Sequence, residues 1–138
     1  MRIMRTMAAA AAGLLLLTAA ACSSSGGGSA GHQVDVSLAE YSITPNLQDV
    51  TGGTVTFQVQ NSGKVDHEMV VIRTDDAPGG LPFENGEASE QGSMGEIPEI
   101  APGETKTLTL KLAAGHYVLI CNLPGHYIGG MHAGFVVS

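Results

Sequence analysis

The chain has 138 residues, with 6 Lys and Arg, 13 Asp and Glu, and a formal net charge of −7 at pH 7. This acidic balance excludes nucleic acid as an expected partner, because phosphate backbones are bound by clustered basic side chains. The length that remains after the apolar N-terminal segment, about 105 residues, can bury one core but is too short for a multidomain oxidase or reductase.

Residues 1–21 have the charge and hydropathy order of a secretory signal. Arg2 and Arg5 precede an apolar run that ends in three alanines, and Cys22 follows directly. This order resembles a bacterial lipoprotein signal, in which the cysteine becomes the lipidated first residue of the mature protein. Ala19 stands where that family usually has Leu, so a plain cleaved signal and a retained anchor remain as alternatives. We expect export and lipid anchoring through Cys22 on the extracytoplasmic, periplasmic side of the membrane.

Residues 22–33 are rich in Ser and Gly, which predicts a flexible tether between the lipid and a single domain at 34–138. Without Arg2 and Arg5, 4 Lys and Arg face 13 Asp and Glu, so the mature chain has a net charge near −9. Such a charge either favours a partner with a basic docking face or serves solubility alone. Besides Cys22 the chain has one cysteine, Cys121, and an unpaired thiol in an oxidising compartment suggests a metal ligand.

The chain after the tether alternates apolar and polar residues with a period of two, which is typical of half-buried antiparallel strands. At 54–60, for example, Val55, Phe57 and Val59 share one face. No stretch has a convincing helical stripe, so the sequence predicts an all-β sandwich. The other strands are predicted at 34–38, 69–73, 107–112, 116–121 and 133–137, with turns rich in Gly, Pro and Asn between them.

Residues 75–97 break this alternation with six acidic side chains, five glycines and two prolines before Ile97. A long connection of this kind is either functional or simply mobile. We predict a mobile acidic surface loop, with docking of a partner as the alternative.

Residues 121–131, near the end of the chain, carry three metal-binding side chains. The thiol of Cys121 ends a predicted strand, the imidazole of His126 follows five residues later, and the thioether of Met131 follows after five more. His67 opens the strand at 69–73 and offers a fourth donor at a sheet end, although spacing alone does not show that it meets the others. Two His, one Cys and a weak axial Met are the ligands of blue-copper electron-transfer sites.

Two segments resemble the cupredoxin family: residues 61–72 look like the segment around its first copper histidine, and residues 115–131 look like its C-terminal copper loop. The Cys-to-His and His-to-Met spacings are closer to sulfocyanin-like and auracyanin-like proteins than to plastocyanin. The resemblance covers the chain after the tether and implies a Greek-key β-sandwich of about seven or eight strands. It also implies one type 1 copper ion, whose ligands are His67, Cys121, His126 and the axial Met131.

The resemblance implies transfer of single electrons between Cu(I) and Cu(II), no enzymatic turnover, a redox-protein partner and a monomeric chain. Asn122 is a candidate donor of a hydrogen bond to the cysteine sulfur, and the carbonyl of Asp66 is a possible fifth contact. A small apolar patch is expected around the exposed edge of the second histidine; its members are Pro124, Tyr127 and Ile128.

Several alternatives compete with this interpretation. A copper-delivery or copper-buffering lipoprotein would use the same donors but exchange the ion itself. Zinc is a weaker candidate because structural zinc prefers four Cys or His ligands, and a Cys–His hydrolase would need an exposed cysteine in a cleft. His32 falls in the tether, and His116 and His132 are predicted to point away from the site.

Overall fold

The computed structural model describes residues 31–138. The predicted signal at 1–21, the lipidation site at Cys22 and most of the tether lie outside the described residues. No helix in the described range is long and apolar enough to cross a membrane. The regular elements there are eleven strands: β1 (His32–Ala39), β2 (Ser42–Pro45), β3 (Asp49–Val50), β4 (Gly53–Asn61), β5 (His67–Arg73), β6 (Phe83–Glu84), β7 (Glu87–Ala88), β8 (Ser93–Ile100), β9 (Thr105–Leu112), β10 (Gly115–Ile120) and β11 (His132–Val137).

The strands form two packed sheets and one small hairpin. The first sheet has the order β2-β1-β4-β9, the second has the order β3-β11-β10-β5-β8, and β6 pairs with β7. This architecture confirms the predicted all-β sandwich. Eight of the eleven strands in residues 31–138 have four or more residues, and the other three have two each.

The first sheet buries one face of each strand, as the period-two pattern predicts. In β4, Val55, Phe57 and Val59 are fully buried between the sheets, and the Phe57 ring meets the ring of Phe135 edge to face at 5.3 Å. The start of the domain differs from the prediction, because β1 begins at His32 and pairs with β4 from His32 onward. The first two residues of this strand therefore belong to the sheet and not to the tether.

The second sheet has two strands that are buried on both faces. Met69 and Val71 of β5 point into the core between the sheets, whereas Val70 and Ile72 belong to a second apolar cluster on the outer face. β10 has the same division, with Val118 and Ile120 on the outer side. An apolar outer face needs a cover, because exposed aliphatic side chains lose the free energy of burial.

The cover is residues 74–92, which we call the cover segment. Its Leu81 and Ala88 are buried in the second cluster, and β6 and β7 form a hairpin within it. At its base, the Arg73 N–H donates to the Gly92 carbonyl at 2.9 Å. The prediction of one mobile, irregular loop over 75–97 is therefore wrong, because the cover segment packs on β5 and β10 and β8 already begins at Ser93.

Candidate metal centre

The strands bring the two predicted ligand segments together at one end of the sandwich. His67 is the first residue of β5, and Cys121 directly follows β10. β5 and β10 are antiparallel neighbours, with Val70 opposite Ile120. Because antiparallel neighbours start and end at opposite edges, the beginning of β5 lies beside the end of β10.

Three donor atoms converge at this end. Cys121 Sγ lies 3.3 Å from His126 Nδ1 and 4.0 Å from His67 Nδ1, and the two Nδ1 atoms are 3.3 Å apart. His67 and Cys121 are fully buried, and His126 is half-buried. An ion about 2.0–2.3 Å from each of three donors in a plane separates those donors by roughly 3.5–3.7 Å, which is close to the distances here. The three side chains therefore fit one metal ion.

Met131 completes the set from the other end of the copper loop, a name we use for residues 121–131. Its side chain is fully buried, and it lines a cavity of about 180 Å³ together with His67 and His126. The loop closes on itself, since the Cys121 N–H donates to the Met131 carbonyl at 3.1 Å and the Met131 N–H donates to the His126 carbonyl at 3.1 Å. Two imidazoles, a thiolate and a thioether together suit copper, and zinc has little use for the thioether.

Burial also shifts the protonation of the metal-free donors. Desolvation raises the pKa of the Cys121 thiol above its ordinary value. It lowers the pKa of His67, and the neighbouring His126 lowers it further. His67 is thereby kept as the neutral imidazole that ligates a metal, whereas the thiol must lose its proton when a metal binds.

The cysteine sulfur accepts a hydrogen bond from the backbone and not from the residue predicted to supply one. The Glu68 N–H donates to Cys121 Sγ at 3.4 Å. The side chain of Asn122 points the other way and bonds to Ala88 and Glu90 of the cover segment. The predicted role of Asn122 toward the sulfur is therefore wrong, because its amide group is engaged elsewhere.

The turn before His67 is held by two side chains that sequence reasoning missed. The buried Asn61 amide donates to the carbonyls of Val65 and Ile100, both at 2.8 Å. The Glu40 carboxylate accepts the N–H groups of Lys64 and Val65, and the bond from Lys64 is the main reason that the pKa of Glu40 is lowered. An Asn at the end of an alternating strand is a turn signal that could have indicated this role.

Gly63 lets this turn approach the first histidine closely. A Cβ on Gly63 would lie 2.9 Å from His67 Nε2 and 2.7 Å from Glu40 Oε1. Any larger residue would therefore require the turn, Glu40 or His67 to shift.

The remaining predicted residues divide clearly. His116 is exposed on β10, and the ring of His132 faces Tyr127 at 5.4 Å, so both lie away from the three donors as expected. His32 is the first residue of β1, and its Nε2 lies 2.6 Å from Thr51 Oγ1.

Tyr127 was expected in an exposed patch but is only 4% exposed, because its ring packs in the second apolar cluster. The expectation for Tyr127 is therefore wrong.

Comparison with known proteins identifies the family. The profile of copper binding proteins of the plastocyanin/azurin family matches residues 31–138. The chain belongs to this family. The cupredoxin resemblance of the two segments is thus confirmed, and copper is the metal of the site, with His67, Cys121, His126 and Met131 positioned as a type 1 copper site. No curated protein sequence matches the chain significantly.

Solved structures share the cupredoxin fold at low sequence identity. Dithionite-reduced auracyanin from Roseiflexus castenholzii is 21% identical, with a TM-score of 0.58 over 77% of this chain and 96% of that chain. Auracyanin A from Chloroflexus aurantiacus, described as a "blue" copper protein, is 21% identical, with a TM-score of 0.58 over 78% and 99%. Rusticyanin from Thiobacillus ferrooxidans is 20% identical, with a TM-score of 0.55 over 78% and 79%.

Proposed function

We propose that this cupredoxin is a type 1 copper electron carrier tethered to the outer face of a bacterial membrane. The observation that carries the proposal is the convergence of three donors within 4.8 Å of one another, of which His67 and Cys121 are buried and His126 is half-buried, beside a buried Met131. All four positions around the ion are then occupied by side chains, which leaves no open position for a substrate. The function is accordingly electron transfer without substrate turnover.

The fold supports rapid one-electron chemistry by fixing the ligands. Bound copper would supply the Cu(I)/Cu(II) couple. His67 belongs to a central strand and Cys121 follows its neighbour, so neither side chain can move far without disturbing the second sheet. A site that keeps the same ligands in both oxidation states needs little rearrangement when an electron arrives or leaves.

His126 is the expected point of electron entry and exit because it is the least buried of the three converging donors. Exposed apolar side chains surround it: Tyr41 and Val65 line the same cavity and are 65% and 46% exposed, and Ile128 in the copper loop is 69% exposed. An apolar contact area with acidic side chains around it is suited to a redox protein that has a basic rim. The docking patch is therefore Tyr41, Val65 and Ile128. Of the three patch residues predicted from the sequence, Ile128 and Pro124 are exposed and Tyr127 is buried.

Membrane tethering rests on the sequence of residues 1–33 alone. Cys22→Ala should prevent lipidation and shift the protein from the membrane fraction to the soluble extracytoplasmic fraction, while copper binding at residues 67–131 is unchanged. Equal membrane retention of the wild type and the variant would contradict the lipoprotein proposal.

The electron-carrier proposal is tested on purified protein loaded with copper. The oxidised wild type should be intensely coloured, because a short Cu(II)–thiolate bond gives strong charge transfer, and Cys121→Ser should be colourless. The wild type should also pass through repeated cycles of reduction and oxidation beside a Cu(I) chelator without losing its copper. Stoichiometric loss of copper on reduction would indicate copper delivery instead, and a colourless wild type would contradict the site itself.

A further inference from the structure

The cover segment contacts the copper loop through two buried polar side chains that do not ligate the metal. Tyr127 is 4% exposed and Asn122 is 6% exposed. Asn122 lies between Cys121 and His126, and Tyr127 lies between His126 and Met131. Each ligand-to-ligand span of the loop therefore carries one anchor to the cover segment.

Tyr127 anchors the first half of the cover segment with its hydroxyl group. The hydroxyl donates to the Pro78 carbonyl at 2.9 Å and accepts the Leu81 N–H at 2.9 Å. The ring stacks on Phe83 at a centroid distance of 6.1 Å. The backbone carbonyl of Tyr127 in turn accepts the Gly130 N–H at 3.0 Å, within the copper loop. Tyr127 is thus bonded on one side to the cover and on the other side to the residue before Met131.

Asn122 anchors the second half in the manner of a strand partner. Its Oδ1 accepts the Ala88 N–H at 2.7 Å, and its Nδ2 donates to the Ala88 carbonyl at 3.0 Å and to Glu90 Oε1 at 2.8 Å. Its own backbone N–H donates to Glu68 Oε1 at 2.8 Å. The amide group therefore uses both its donor and its acceptor on the cover segment, directly beside Cys121.

We propose that Asn122 and Tyr127 are positioning residues, through which the cover segment holds the copper loop in the geometry that its three ligands need. The role of the metal rests on the proposed function, whereas the contacts between the cover segment and the copper loop do not depend on it. Buried polar groups that lose their partners are costly, so each anchor resists separation of the loop from the cover. Without the anchors, the copper loop loses its fixed position on the second sheet, so its internal hydrogen bonds open more often.

The first test measures backbone hydrogen exchange in the metal-free protein, so that it does not depend on copper. Tyr127→Phe keeps the ring and removes both hydroxyl bonds, and the amides of Leu81 and Gly130 should exchange at least about five-fold faster. Tyr117→Phe is the matched control, since the Tyr117 hydroxyl also donates one bond, to the Ala113 carbonyl at 2.7 Å, at the opposite end of β10. It should leave the exchange of both amides unchanged.

The second test uses the copper-loaded protein and two variants, Tyr127→Phe and Asn122→Ala. A loop that is less firmly held samples a wider range of sulfur-to-metal geometries, so the charge-transfer band should broaden in both variants and keep its wild-type width in Tyr117→Phe. Asn122→Ala keeps the proposal testable if one variant does not fold. Wild-type exchange at Leu81 and Gly130, or a wild-type band in both variants, would overturn the proposal. A wild type without colour would instead refute the proposed function. The exchange result would still show whether Tyr127 holds the copper loop on the cover segment.

Discussion

Glu68 connects the two ligand segments with two hydrogen bonds of opposite sense. Its backbone N–H donates to Cys121 Sγ at 3.4 Å, and its carboxylate accepts the Asn122 N–H at 2.8 Å. Burial raises the pKa of this carboxyl group, and the nearby Glu90 raises it further, while the bond from Asn122 opposes the shift. The same residue therefore fixes the position of the sulfur relative to β5 and controls the electrostatic environment beside it.

Met131 offers a test of the axial ligand at the scale of one side chain. Met131→Leu keeps the size and apolar character of the side chain but removes the thioether, so the protein should remain coloured. If the thioether favours Cu(II) by about 1 kcal/mol, its loss raises the reduction potential by roughly 40 mV for a one-electron couple. Spectroelectrochemical titration of the oxidised protein measures this change.

Met69→Leu is the matched control for that substitution. Met69 is also fully buried in the core between the sheets, but it does not line the cavity that Met131 shares with His67 and His126. Its replacement should leave the potential unchanged. Equal potentials for the wild type and Met131→Leu would mean that Met131 contributes only packing.

At the scale of single elements, the alternating strands were the easiest to predict. β1, β4 and β9 bury one face each, so their apolar side chains repeat with a period of two. This pattern predicts a strand from the sequence alone. β8 was missed because Gly95 and Pro98 interrupt its pattern. The sequence still held one unused signal: continuous apolar runs in β5 and β10 indicate strands buried on both faces, and hence a covering segment.

The candidate site shows the same limit of sequence reasoning. The donors are identifiable because His, Cys and Met have distinctive metal chemistry and their order in the copper loop is unusual. The hydrogen bond to Cys121 was not predictable, because its donor is the backbone of Glu68 and every residue except proline has such a group. The burial of Tyr127 depends on where the cover segment lies, which is a tertiary contact without a local pattern.

Two glycines in the cover segment test how firmly its base is closed. Gly92 and Gly86 both have positive φ, at 89° and 93°. A Cβ on Gly92 would lie 2.4 Å from the Arg73 carbonyl oxygen, whereas a Cβ on Gly86 would meet nothing within 4 Å. Gly86→Ala should therefore lower the free energy of unfolding by about 1 kcal/mol, and Gly92→Ala by about 3 kcal/mol.

Urea denaturation of the metal-free variants measures these two losses. The difference between them isolates the steric contact with Arg73, since the backbone strain is nearly the same at both positions. Similar losses for the two variants would show that the base of the cover segment can open without cost.

At the scale of the whole molecule, the surface divides into an apolar part and an acidic part that lie side by side. The docking patch lies at the copper end, and the exposed part of the cover segment is acidic, with Glu84, Glu87 and Glu90 at its surface. The acidic part reaches the copper end, because Glu90 accepts a hydrogen bond from Asn122 beside Cys121. Such a division lets charge orient an approaching partner and lets apolar contact bring it close to His126. Without Arg2 and Arg5, 4 Lys and Arg face 13 Asp and Glu, so two copies of the domain repel each other and apolar contact must bring their copper ends together.

Ile128→Glu tests the docking patch without knowledge of the natural partner. Electron self-exchange between reduced and oxidised copies, measured from NMR line broadening, requires two copper ends to meet. A new carboxylate on each patch adds about 1 kcal/mol of repulsion to that encounter, so the rate should fall about five-fold while the visible spectrum stays unchanged. Met94→Glu is the control: Met94 is 39% exposed near the start of β8, and the pairing of Ile100 with His67 places that start at the far end of the strand from the metal. It adds the same charge and should change the rate little, because the added carboxylate lies far from the contact. Equal rates for the two variants would show that electrons leave by a route other than the surface around His126.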